Sequence, residues 1–283
     1  MGYTGILLVD KPRGPSSHQV AAWVGEMLQS NVGHSGTLDP MVSGVLVVML
    51  GKAVRLAPLL LLHEKEYVVC LLLHADVPRE QVEEAVKQFT GRIYQRPPRR
   101  SAVKRALRIR VIHWIELLDM QGRLVLIRVR CEAGTYIRSL CVHIGWVLGC
   151  GSQMIELRRT RSGGFLVEDT HTLHEIRDAA ETGNGEMIRS MILPPEAAVL
   201  DLPKIVVRPG AADAVAHGAI LAGVGMIWCD PFVRGQSIAV VTVEGRLVAL
   251  AEAVRDSAKF ACGDPGFVAK SLRVFSLPSG VNK

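Results

Sequence analysis

The spacing of apolar residues along the chain divides it into recognisable elements. GILLVD at 5–10 is a short continuous apolar run closed by KPRGP, where two prolines and a glycine stop any regular structure, and it predicts a buried strand. Ser16 or Ser17 then caps a predicted helix with Val20, Val24, Met27 and Leu28 on one side. NVGHSGTLDP at 31–40 reads as a loop leading into the apolar run GVLVVMLG at 44–51. EYVVCLLLH at 66–74 predicts a strand. DVPREQVEEAVKQFTG at 76–91 predicts a helix with Val82, Ala85, Val86 and Phe89 inward, Asp76 as its cap and Gly91 as its stop.

VIHWIELLDM at 111–120 and RLVLIRVRCE at 123–132, joined through Gln121 and Gly122, predict an antiparallel pair. Alternation places Ile127, Val129 and Cys131 on one face of the second strand and Arg128 and Arg130 on the other. GTYIRSLCVHIGWVLG at 134–149 opens as a turn and continues as a helix containing Leu140, Ile144 and Leu148. Residues 178–198 turn polar and then proline-bearing, which marks a boundary. Short apolar runs separated by glycines follow it and predict a small sheet-rich module. The expected organisation is a mixed α/β (α+β) domain over residues 1–196 with a sheet-rich second domain over 197–278.

Composition narrows the classes. Of 283 residues 49% are hydrophobic and 21% charged, which speaks against disorder as the main state. The apolar stretch from Val45 to Leu62 is interrupted by Lys52 and Arg55, so it does not predict a membrane span, and no membrane partner is expected. Six cysteines without a CxxC pair suit a reducing compartment, and the spacing of Cys141, His143 and Cys150 matches no zinc pattern. The net charge of +6 is modest, but its placement is not even: residues 92–110 hold eight basic residues and no acid. Such a block repels itself unless a polyanion lies nearby, which points to nucleic acid. Arg99, Arg100, Lys104 and Arg105 are the candidate phosphate contacts there, and Arg158, Arg159 and Arg161 form a second basic cluster.

Asp39 stands in GHSGTLDPMVSG, among small residues. Alone, an Asp-Pro in such a loop is compatible with nothing more than a turn, because the carboxylate bonds nearby amides. Its companions change the reading: His34 precedes it, Tyr67 begins the next strand and Arg138 lies in GTYIRS. GHSGTLDP, KEY at 65–67, QRPPRRSAVKR at 95–105, GTYIRSL at 134–140 and ELRRTRSG at 156–163, in this order, resemble the pseudouridine synthase family that includes the bacterial enzyme of the tRNA T loop. The QRPP…SAVKR and RRTRSG forms are more similar to its archaeal and eukaryotic branch, the dyskerin-like catalytic subunit of box H/ACA ribonucleoproteins.

That resemblance implies roles. Asp39 is then the catalytic aspartate, Tyr67 the tyrosine that stacks on the target base and takes part in proton transfer, and Arg138 the arginine paired with the aspartate. Leu157 becomes a wall of the base pocket, which an ordinary core leucine would also resemble, and His34 another pocket residue. The segment 92–110 corresponds to a thumb that closes on RNA, and the second domain to a PUA RNA-binding fold in which His217 lies near RNA. Lys11-Pro12 corresponds to a structural motif. Pseudouridine formation breaks the N1–C1′ bond, turns the uracil and joins C5 to C1′. A carboxylate can serve by attacking the sugar or by removing its 2′ proton, and the sequence leaves both open. Arg138 is expected to hold Asp39 bidentately.

No metal or organic cofactor is implied. The implied partners are a box H/ACA guide RNA, substrate rRNA or tRNA, the small zinc-containing H/ACA protein, the archaeal counterpart of the glycine/arginine-rich H/ACA protein and the kink-turn-binding ribosomal-type protein. Guide-independent action on tRNA and a non-catalytic RNA-binding scaffold are the alternatives. Guide-dependent relatives usually carry a longer amino-terminal extension than this chain, and eukaryotic ones a lysine-rich tail. The expectation is therefore an archaeal-type cytoplasmic protein; a eukaryotic one would be nucleolar.

Overall fold

The computed structural model describes residues 2–97, 106–183 and 185–275, so Arg99, Arg100, Lys104 and Arg105 lie outside the described residues. Contacts divide the chain into two compact units, residues 1–193 and 194–283. Among the described residues no helix is long and apolar enough to cross a membrane.

The first unit runs β1 (Gly5–Lys11), α1 (Ser17–Met27), β2 (Val32–Ser35), β3 (Ser43–Leu50), α2 (Ala57–Leu62), β4 (Lys65–Leu73), α3 (Arg79–Lys87), β5 (Gly91–Gln95), β6 (Arg108–Gln121), β7 (Leu124–Cys131), α4 (Ile137–Val147), β8 (Ser152–Ser162), β9 (Phe165–Leu166), α5 (Leu173–Glu181), α6 (Gly185–Met191) and β10 (Ile192–Leu193). Its sheet is ordered β10-β1-β3-β8-β4-β7-β6-β5, with β2 against β3 and β9 against β8. All these pairings are antiparallel except β3 with β8, where Ser43 faces Arg158 and Gly44 faces Arg159. One core packs α1, α5 and α6 on β1 and β3 through Val9, Val20, Val24, Val48 and Ile176. Another packs α3 and α4 on the other half through Val69, Leu71, Val82, Ile127, Val129, Leu140 and Ile144.

Most expected elements are present, and Ser16 caps α1 through a reciprocal box with Gln19. Two differ. Residues 32–35 are not loop but strand β2, because their backbone pairs with β3 from Val32–Leu50 to Ser35–Val47, an association that the sequence Val-Gly-His-Ser does not announce. Helix α3 starts at Arg79 with Pro78 as its cap, and Asp76 does not cap it, since proline's fixed φ already suits a helix entry. The motif ELRRTRS, to which the apolar spacing assigns no element, lies on β8, an interior strand of the sheet.

A methyl at Gly44 would run into the Arg159 carbonyl oxygen and lie 2.8 Å from its amide nitrogen, and Gly44 has φ +102°. Gly44→Ala is therefore expected to cost at least about 2 kcal/mol, by strain and by loosening β3 from β8. Urea unfolding of the variant against the parent measures it.

The second unit holds β11 (Lys204–Val207), α7 (Pro209–Ala216), β12 (Leu221–Ala222), β13 (Met226–Cys229), β14 (Ser237–Val241), β15 (Leu247–Ala253) and β16 (Phe267–Val274). Its sheet is ordered β12-β16-β15-β14-β11-β13 around Ile205, Val207, Val215, Ile238, Val240 and Val268. Among its strands, PGAADAVA forms helix α7, with proline at its first position and Ala212 and Val215 inward.

Candidate active site and its buried cations

Asp39 is held by its neighbours and not by its own carboxylate. On one side Leu38 is buried, and Ser17 Oγ, itself fully buried on α1, accepts from the Leu38 amide at 2.7 Å and donates to its carbonyl at 2.8 Å. On the other side Lys11 Nζ donates to the carbonyls of Pro40 (3.3 Å) and Val42 (2.8 Å), and to that of Pro12 (2.9 Å). The Gly14 amide donates to the Pro40 carbonyl at 2.8 Å, and the Val42 amide to the Asp39 carbonyl at 3.0 Å. Leu38 and Val42 belong to the same core cluster as Leu157. The residue between them is thus presented outward on a pinned backbone, with 67% of its side chain exposed.

Arg138 sits in the first turn of α4 and reaches Asp39 through one contact, Nη2 to Oδ2 at 3.4 Å, with 55% of its side chain exposed. The bidentate arrangement expected from the sequence is not formed. Both side chains stand open to solvent.

Tyr67 is partly buried on β4, opposite Arg159 of β8 and Val129 of β7. Burial pushes the phenol above its ordinary value, while the adjacent guanidinium pulls in the opposite sense. Leu157 is 7% exposed on β8 and packs beside Val69 and Val129, which satisfies a pocket wall and a core position alike. His34 lies on β2 with a buried Nδ1 that has no hydrogen-bond partner. Burial lowers its pKa, with His18 and Arg159 acting in the same direction, so the ring is neutral near pH 7.

The second basic cluster has to be corrected. Arg159 is 1% exposed and presents nothing to a phosphate. Its Nε donates to the Val45 carbonyl at 2.7 Å, and its Nη1 lies 3.1 Å from where a methyl at Gly36 would stand. Gly36, at φ +71°, is what lets the Asp39 loop lie on the guanidinium. Arg158 is also taken up: its Nη1 and Nη2 meet the two Asp10 oxygens at 2.9 and 2.8 Å, a fork-to-fork pair that leaves it unavailable as a free phosphate ligand. Arg161 spends its Nε on the Gly163 carbonyl. His217 is exposed after α7, its Nδ1 donating to the Asp213 carbonyl at 2.7 Å.

Arg159 is one of three buried cations around the site. Lys11 is 0% and Lys65 5% exposed, and among the described residues no carboxylate is buried. Both lysines satisfy their ammonium groups with backbone carbonyls, Lys65 with those of Leu60, Leu61 and His63. Burial lowers the Lys11 pKa, which the charge of Asp39 raises in part. The effect is a positive interior behind an exposed carboxylate. Sequence reasoning gave Lys65 no role, although alternation from Tyr67 places it on the same inward face of β4.

Burial, with Arg159 nearby, brings Lys65 from 10.5 down to about 8. The unfolded chain therefore binds more protons than the folded one between these values. Below pH 8 the folded state carries the full cost of the charged amine, about 3 kcal/mol, and it is recovered as pH rises from 8 towards 10.5. The Tm of the parent relative to Lys65→Met is expected to rise across that window. A constant difference would contradict the assignment.

Three family models match successive parts of the chain. Residues 26–137 match the TruB family pseudouridylate synthase N-terminal domain, residues 138–200 the tRNA pseudouridylate synthase B C-terminal domain, and residues 203–275 the PUA domain. The "probable tRNA pseudouridine synthase B" of Methanosarcina barkeri is 48% identical over 289 residues, covering 99% of this chain and 86% of the relative. That of Archaeoglobus fulgidus is 48% identical over 259 residues, covering 89% and 80%. Among solved structures, a chain of a Cbf5-Nop10-Gar1 complex superposes with a TM-score of 0.90 at 46% identity, over 96% of this chain and 85% of that one. A chain of an H/ACA RNP bound to a substrate RNA containing 2′-deoxyuridine gives 0.90 at 43%, over 98% and 86%.

Proposed function

This chain belongs to the TruB family of pseudouridylate synthases, and from that we propose that it isomerises rRNA uridines chosen by a box H/ACA guide RNA. It is an RNA pseudouridine synthase, an isomerase with a catalytic domain and a PUA domain. The observation that supports guide dependence is the superposition over nearly its whole length on chains from complexes containing Nop10, Gar1 and substrate RNA. On this reading the partners are the guide RNA, the small zinc-containing H/ACA protein, the archaeal counterpart of the glycine/arginine-rich one and the kink-turn-binding ribosomal-type protein, in an archaeal cytoplasm. A second reading, guide-independent action on tRNA, is favoured by the names of the archaeal relatives.

The chemistry assigned to the site starts with a target nucleotide turned out of its RNA stack, at a cost of a few kcal/mol. Tyr67 recovers part of this by stacking on the base, with Leu157 closing the other side. Asp39 then faces the ribose, where its carboxylate attacks C1′ or removes the 2′ proton. Arg138 holds the carboxylate in line, and the Tyr67 hydroxyl, backed by Arg159, receives or directs the C5 proton after the base is rejoined. His34 lines the pocket as a neutral ring. Arg161 and His217, together with the basic stretch at 92–110, are the assigned RNA contacts.

The deciding experiment measures pseudouridine in defined rRNA fragments and in tRNA, with and without matched guide RNA and the partner proteins. Modification of the rRNA uridine only when the guide is present supports the first reading. Activity on tRNA alone, with every reconstituted guide complex silent, would replace it by the second.

A further inference from the structure

Gln95 is the last residue of β5, and at 1% exposure it is one of the few buried polar side chains among the described residues. Its amide forms a reciprocal pair with the backbone of a residue 41 positions away: Nε2 donates to the Tyr136 carbonyl at 3.1 Å, and the Tyr136 amide donates to Oε1 at 2.9 Å. Tyr136 is the N-cap of α4 and makes no side-chain cap of its own. Its carbonyl also accepts from the Leu140 amide at 3.0 Å, the bond that opens the helix. Gln95 therefore supplies from another strand the partner that a helix start requires. Two residues further on stands Arg138.

We propose that Gln95 is a positioning residue for Arg138: its side-chain amide fixes the entry of α4, and with it the direction from which the guanidinium meets Asp39. The rest of α4 is anchored separately by Ile137, Leu140 and Ile144 in the core, so this amide governs the first turn more than the helix as a whole. A single contact of 3.4 Å joins Arg138 to Asp39, and small changes in the helix start are enough to lose it. Glutamine suits the place because one planar group both donates and accepts, as a peptide unit does. Glutamate at neutral pH retains only the acceptor, and methionine neither. Gln95 also pairs with Arg108 of β6, so strands β5 and β6 are tied at this point to the helix that carries Arg138.

The inference rests on the reading of Arg138 given above, and the test separates the two. Single-turnover release of tritium from RNA labelled at uridine C5 is measured for the parent complex, Gln95→Met, Gln95→Glu, Arg138→Lys and the double variant Gln95→Met/Arg138→Lys, with RNA affinity and Tm measured in parallel. Both Gln95 variants are expected to lower the rate about tenfold or more while RNA affinity stays within about twofold. In the Arg138→Lys background the same Gln95→Met change is expected to cost less than about twofold, because the group it positions is gone. Parental rates in the Gln95 variants, a loss carried by RNA affinity, or an equal loss in both backgrounds would overturn the inference. If Gln95→Met fails to fold, Gln95→Glu decides by its rate and affinity. Parental turnover in Arg138→Lys would instead remove the reading of Arg138 on which the inference stands.

Discussion

Asp39→Asn is expected to lower the single-turnover rate of pseudouridine formation by on the order of a thousandfold or more, with RNA affinity and fold preserved. The geometry makes this a clean substitution. The backbone bonds that pin the loop run from Ser17, Lys11, Gly14 and the Val42 amide, and the carboxylate takes no part in them; its contact with Arg138 is a single one at 3.4 Å. The side chain is two-thirds exposed, so an amide of the same shape is expected to shift stability by less than about 0.5 kcal/mol. What disappears is the negative oxygen that either route to the product requires. Tritium release from C5-labelled RNA, alongside a thermal melt and an RNA titration, separates lost chemistry from lost structure.

Arg138→Lys is the second large effect, with an expected loss of about a hundredfold in turnover, the scale seen when one preorganised donor is removed from a reacting centre. Lysine keeps the charge but is a flexible point donor in place of a planar fork, and it cannot brace a carboxylate in one orientation. Arg138 is more than half exposed and touches Asp39 through one contact, so little stability depends on it. The loss should therefore fall on the rate at saturating RNA and spare the RNA concentration needed for half-saturation. A rise in that concentration at an unchanged rate would move Arg138 from the chemistry to RNA binding.

The residues that touch substrate on this reading stand in motifs long and ordered enough to be read directly: Asp39 in GHSGTLDP, Tyr67 in KEY and Arg138 in GTYIRSL. The alternation of Ile127, Val129 and Cys131 likewise foretold their burial on β7. What supports the site was less legible. In RRTR a run of cations looks like a solvated patch, yet the strand turns Arg159 inward beside Leu157 and gives Arg158 to Asp10 across β3. No local property of arginine distinguishes these fates, because they depend on which strands flank β8. Strand period two, counted from buried Leu157, would have marked Arg159 as inward, and the same count from Tyr67 marks Lys65. Gln95 was hidden more completely. Its partner is backbone, 41 residues distant, and a backbone group leaves no signature in the sequence.

The central claim concerns one encounter, that of an extruded uridine's ribose with the Asp39 carboxylate. A structure of the active complex with its substrate RNA tests it most directly. The account predicts a carboxylate oxygen of Asp39 within about 3–3.5 Å of C1′ or of the 2′ hydrogen-bearing carbon, with Arg138 drawn in to hold the other oxygen. A target ribose lying a further side-chain length away, in a complex that demonstrably turns over, would contradict it.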